Sequence, residues 1–206
     1  MPFKHPKQKH RRTQNPPVYS DYRKYKPFLQ KEFVNHCIYC QTPDTLNNIT
    51  SFGVDHYKPK SIFPTLERVY SNLYYSCNKC NNRKRSFWPS SSLPDVFIPN
   101  PCDYIMTDHM KFNKSNLILK SEAGEFTIEL LQLNSEESKN FRITIYTAVI
   151  TINDKIQSLT VQLSKLKNML CSLVGSNLNK AKKEISSIEN DLEILEVSLD
   201  GLLGLR

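Results

Sequence analysis

The chain reads Cys-Ile-Tyr-Cys at residues 37–40 and Cys-Asn-Lys-Cys-Asn-Asn-Arg-Lys at 77–84, with Asp55-His56 and Asn72 between them. Two C-x-x-C pairs, Cys37/Cys40 and Cys77/Cys80, have the spacing of a four-thiolate structural zinc site. The 36 residues between the pairs exceed a simple zinc ribbon, so a sub-motif must lie inside them. A redox reading needs only one C-x-x-C in a βαβ setting, and no such setting surrounds these pairs. Cys102 and Cys171 stand alone and read as small apolar residues. The order is therefore C-x-x-C, D-H, N-L, C-x-x-C-N-x-x-K. A D-H dipeptide by itself means little; the same dipeptide framed by knuckles and asparagines is a far more specific signal.

Working outward, Ser51 to Val54 predicts a short strand ending at Asp55-His56, and Lys58 to Phe63 a proline-bearing loop. Tyr70 to Tyr75 predicts a return to the second knuckle, with a helix through Asn81 to Arg85. Upstream, Asp21 to Phe33 predicts a short helix despite Pro27. Trp88 to Pro101 holds four prolines and predicts an irregular wrap. Asn116 to Lys120 and Glu125 to Leu130 flank Ser121-Glu122-Ala123-Gly124, which predicts a hairpin turn. Asn134 or Ser135 is the candidate N-cap of the next helix. Ile145, Ile152, Ile156, Leu159, Leu163, Leu166 and Leu170 then recur at helical spacing. After Gly175, a second series runs Leu178, Ala181, Ile185, Ile188, Leu192, Leu195, Leu199 and Leu202. Two amphipathic helices in an antiparallel hairpin follow, either packed on the core or offered to a partner.

The expected fold class is α+β, divided into a basic flexible arm (1–20), a zinc-knuckle domain (21–134) and a C-terminal helical hairpin (135–206). The 206 residues carry a formal net charge of +8. Residues 1–35 hold nine Lys or Arg against Asp21 and Glu32, a surplus of +7 in the first sixth of the chain. Such an arm suits a polyanion, because each neutralised phosphate releases counterions; a solvated tail is the plainer reading. No apolar run is long enough for a membrane span, and the N-terminal stretch lacks a secretory apolar segment. A soluble cytoplasmic protein is expected.

The D-H, N-L and C-N-x-x-K blocks resemble the HNH nuclease family, whose ββα-metal fold is often stapled by four cysteines. The resemblance implies that His56 is the general base on the attacking water. It implies that Asp55 and Asn81 hold one divalent ion, with Asn82 the substitute ligand, and that Asn72 braces the loop carrying the base. Asn81 stands where many members have His; its oxygen favours Mg²⁺ or Mn²⁺. Lys84, Arg83, Arg85 and Lys58 are the candidate contacts to substrate phosphates. More narrowly, VDHYKPKSIFP (54–64), YSNLYYSCNKCNNRKRSFWP (70–89), FIPNPCDY (97–104) and TIELLQLNSEESKNFR (127–142) look like the nuclease subunits of Septu anti-phage systems and their retron-associated relatives. That likeness implies a DNA endonuclease of little sequence specificity, working with an ABC-type ATPase. The alternatives are an RNase, for example one cutting tRNA, and a non-catalytic zinc-knuckle binding or assembly subunit. A homo-oligomer through the C-terminal helices is a further expectation. Asn100 and His109 receive no role.

Overall fold

The structure is a computed structural model that describes residues 2–46, 50–90 and 96–205. A 3₁₀ turn at Tyr22–Tyr25, capped by the Asp21 carboxylate, leads into α1 (Lys26–Glu32), which carries Pro27 in its first turn. Left-handed Val34 and Asn35 (φ 52° and 59°) end that helix and turn the chain into the first knuckle. Strand β1 (Phe52–His56) pairs antiparallel with β2 (Leu73–Cys77), in a register that sets Phe52 against Cys77 and His56 against Leu73. Helix α2 (Asn78–Lys84) starts where β2 stops, and Cys77 is its N-cap. The order is ββα, as the spacing of the motifs predicts. Because side chains alternate along a strand, Asp55 and His56 leave β1 on opposite faces.

The middle of the chain departs from expectation. The hairpin is β3 (Met110–Asn113) with β4 (Asn116–Leu119), preceded by a single helical turn, α3 (Met106–His109). Glu125 to Leu130 is not its second strand: Glu122–Leu130 is helix α4. The supposed turn residues open that helix, since Ser121 Oγ accepts the Gly124 amide at 3.1 Å and Glu122 and Glu125 occupy the first turn. Gly124 answers to packing instead: a Cβ there would lie 1.9 Å from the His109 carbonyl oxygen. The wrap after Trp88 is irregular where it is described; part of it, 91–95, lies outside the described residues.

Ser135 caps α5 (Glu136–Met169), accepting the Ser138 amide, while Asn134 clips β4 through both Leu117 backbone groups at 2.8 and 2.7 Å. Helix α6 (Gly175–Leu203) runs back antiparallel to α5, burying Leu159, Ala181, Ile185 and Ile188 in the seam. Both ends of this hairpin are rooted at the knuckles. Glu137, in the first turn of α5, pairs with Lys79 at 2.8 Å. At the other end Gly204, left-handed at φ 66°, fits against His36 and Pro43, where a Cβ would clash at 2.6 Å. Among the described residues, no helix is long and apolar enough to cross a membrane.

The N-terminal arm is not free along its whole length. Phe3 and His5 are buried, and burial lowers the His5 pKa to about 4. Arg12 Nη2 donates to the Tyr70 and Leu73 carbonyls at 2.7 and 2.9 Å, with its guanidinium over the rings of Tyr74 and Tyr70. Its Nε lies 2.8 Å from Glu32 Oε1 as an ion pair, outside hydrogen-bond alignment. A cation among aromatic faces gains quadrupole attraction that the same charge in water does not. Part of the basic surplus thus fastens the arm to β2.

Candidate active site and zinc centre

The four-cysteine cluster forms because the first cysteine pair is folded against the end of β2 and the start of α2. The sulfurs of Cys37, Cys40, Cys77 and Cys80 all lie within 4.8 Å of one another, with Cys40 and Cys77 3.7 Å apart. Zn–S bonds of about 2.3 Å in a tetrahedron put sulfurs about 3.8 Å apart, so the set fits one zinc ion. Hydrogen bonds from the other three cysteines pull the Cys40 thiol well below its usual range, while the same crowding and burial push Cys77 and Cys80 up. A central cation is what would let all four ionise together. Thr42 Oγ1 at 3.1 Å from Cys40 Sγ and the Cys80 amide at 3.4 Å from Cys77 Sγ complete the surroundings. Cys102 lies outside the cluster, beside the Tyr74 hydroxyl, and Cys171 is exposed.

His56 ends β1 and is nearly buried. Its Nε2 lies 2.9 Å from the Glu67 carbonyl oxygen. A carbonyl only accepts, so Nε2 carries the proton and Nδ1 keeps its lone pair. Burial lowers the His56 pKa, which favours the neutral ring. Asn72 fixes the loop that supplies this carbonyl. Its Oδ1 accepts the Lys58 amide at 2.8 Å, and its Nδ2 donates to the Lys58 and Leu66 carbonyls at 3.0 and 3.3 Å. The ring of Tyr22 stands edge-on to the imidazole, 4.6 Å between centroids.

On the other face of β1, Asp55 is buried. Its Oδ2 accepts from the Tyr39 hydroxyl, and its Oδ1 from Lys84 Nζ at 3.1 Å. Lys84 also donates to the His56 carbonyl at 2.7 Å. Asn81 lies three residues before Lys84 on α2, hence on the same helical face, and is half-buried. Asp55 and Asn81 offer only oxygen donors of the kind a hard cation takes, and each Asp55 oxygen keeps a second lone pair. In kind these donors suit Mg²⁺ or Mn²⁺, and here both Asp55 oxygens are taken up by Tyr39 and Lys84.

Two of the residues read as phosphate contacts are committed elsewhere. Lys84 is spent on Asp55. Arg83 Nη1 donates to the Leu131 carbonyl at 2.8 Å and its Nη2 pairs with Glu137 at 3.5 Å, so it ties α2 to the root of α5. Burial explains both: a cation turned inward needs an acceptor, and each has found one. Arg85 remains exposed, and half-buried Lys58 lies over Trp88 at 5.4 Å. The exposed Asn82 side chain makes no hydrogen bond among the described residues. Asn100 accepts from the Tyr74 hydroxyl at 2.7 Å and His109 Nδ1 meets Ser121 Oγ at 2.7 Å, so both brace local structure. Tyr22 and Glu67 join the site from outside its motifs, and Tyr39 joins it from a variable position within the first cysteine pair. Only Tyr39 gives a signal in the sequence, as an aromatic residue enclosed by the first cysteine pair.

Residues 37–87 match the HNH endonuclease family. The chain is also 28% identical to the Septu protein PtuB of Bacillus thuringiensis over 137 residues, 64% of this chain and 51% of that protein. It thus spans about half the length of the curated relative it matches. The stretch between the first cysteine pair and the end of α2 is therefore similar to HNH endonucleases, on a chain that resembles a Septu component.

Proposed function

We propose that this chain is an endonuclease that hydrolyses phosphodiester bonds of DNA with little sequence preference, with His56 as general base. One observation carries the reading: the Glu67 carbonyl holds Nε2–H and leaves Nδ1 as the base. Neutral imidazole at the edge of a zinc-stapled ββα module can take a proton from an attacking water. Asn72 keeps that geometry by clamping the loop before Glu67, acting through the backbone rather than on substrate. Asp55 and Asn81 would hold a divalent ion, which when bound supplies charge relief to the phosphoryl oxygens and the leaving oxygen. Lys84 neutralises Asp55 and ties it to the His56 backbone, coupling the two faces of β1.

The likeness to a Septu protein supports a place in cytoplasmic anti-phage defence, with an ABC-type ATPase as partner. Exposed Ile150, Val161 and Ile194 on the helical hairpin give such a partner, or a second copy of the chain, an apolar surface to cover.

Cleavage of supercoiled plasmid by wild type and His56→Ala, with Mg²⁺, Mn²⁺ or EDTA, tests the reading. Loss of the base should lower the rate by about 10²–10⁴. Because burial holds His56 below its ordinary value of about 6.5, the base is neutral at pH 7, and wild-type activity should fall only as pH drops below that value. Equal cleavage by the two proteins would sink the assignment. Activity confined to RNA in the same assay would make the chain an RNase.

A further inference from the structure

With Arg83 and Lys84 turned inward, the cations beside His56 must come from elsewhere. On the Tyr22 side of the imidazole, an open bowl of about 580 Å³ is lined by Tyr22, Arg23, Lys60, Glu67 and Arg68 among others. Lys60 lies in the loop that follows His56, and its ammonium is held at three points. It is 3.2 Å from Glu67 Oε1, 3.3 Å from the Tyr22 hydroxyl and 4.7 Å above the Tyr22 ring. Both holders are also the holders of His56: Tyr22 by its ring edge and Glu67 by its backbone carbonyl. The base and the ammonium are thus fixed to one frame.

Arg68, next in the chain to Glu67, is exposed and makes no ion pair among the described residues. Arg23 is already met by Asp21, with Nε at 3.0 Å and Nη2 at 2.9 Å from its carboxylate oxygens. The Lys60–Glu67 pair is about half exposed, and a pair of that kind is weak enough for a phosphate to enter. The bowl therefore offers one unmatched arginine and one loosely held ammonium beside the two residues that hold His56.

We propose that Lys60 and Arg68 form a subsite for a backbone phosphate of the nucleic acid next to the one being cleaved. The subsite rests on the nuclease reading for its place in the reaction, yet binding can be measured without cleavage. It also gives the loop after the D-H pair a purpose: the backbone clamped by Asn72 aims a base and a phosphate contact together.

The test is fluorescence anisotropy of labelled single-stranded DNA, duplex DNA and single-stranded RNA with the full chain in EDTA, over a series of salt concentrations. Removing one cation that neutralises a phosphate should reduce the slope of log K against log salt by roughly 0.7 for single strands and 0.9 for duplex. Lys60→Ala and Arg68→Ala should each show that reduction and bind more weakly, and Lys60→Arg should restore the slope. Lys182→Ala, on the exposed face of α6, is the control and should leave it unchanged. The three substrates separate DNA from RNA as the source of the phosphate. Unchanged slopes in both variants would overturn the subsite while leaving the nuclease standing if His56→Ala still abolishes cleavage. A wild-type chain that binds none of the substrates would also overturn it. Reduced slopes with no cleavage under any metal would keep the subsite and sink the nuclease instead.

Discussion

The cysteine-cluster module and the helical hairpin are stabilised in different ways, and the contrast tells which changes each will bear. Between Cys37 and Phe87 almost every buried polar group has a named partner: Asp55 with Tyr39 and Lys84, Asn72 with the Lys58 backbone, His56 with Glu67. Strand β2 is buried along its whole length, with Leu73, Tyr74 and Tyr75 in the core, and directed bonds and the cysteine cluster fix two short strands and a seven-residue helix around them. The hairpin consists of 34- and 29-residue helices whose seam repeats the same kind of aliphatic contact. Its stability is spread over many equivalent layers, and its ion pairs lie on the surface.

Metal removal should break the comparison most visibly. Binding of a structural zinc is worth about 10–16 kcal/mol in small domains, so a strong chelator, or Cys77→Ser, should unfold the module. The near-ultraviolet signal of its buried tyrosines should collapse while much of the helical far-ultraviolet signal persists. A module that keeps its tyrosine signal without metal would refute the zinc-held role of the cysteines. Next in size is Lys84→Met, which leaves the Asp55 carboxylate buried and unpaired at a cost of about 3–5 kcal/mol. Adding Asp55→Asn removes the stranded charge and should recover part of that stability in denaturant titrations; no recovery would mean the pair does not govern stability. The smallest effect belongs to the hairpin surface. Lys167 and Glu189 are 2.7 Å apart with about half of each side chain in water. Lys167→Ala should therefore change stability by no more than about 1 kcal/mol. A larger change would mean that the seam depends on specific polar bonds, as the module does.

The legibility of the chain follows the same division. Helices α5 and α6 are readable because a periodic apolar stripe spans many turns, and the capping serine is readable from its neighbours. The region between misleads at Ser121 to Gly124, where serine and glycine serve equally well in a turn or at a helix start. What decides is the His109 carbonyl pressed against Gly124, a contact no local pattern encodes. The basic residues are legible as charge but not as direction. Arg12, Arg83 and Lys84 look like the surface cations around them, yet the fold turns each inward to an acceptor distant in sequence.

By itself the sequence determined the four clustered cysteines, the strand ending in Asp55-His56, the asparagine behind the loop and the two long helices. Spacing and periodicity are local properties, and they survive in one dimension. Only the tertiary structure decided which nitrogen of His56 is free, because the Glu67 carbonyl that selects it arrives from eleven residues away through a loop held by Asn72. It also decided which cations face the base. That is a matter of burial, since a charge turns inward only where packing supplies a counter-charge or carbonyl to meet it, and such partners are assembled by the fold.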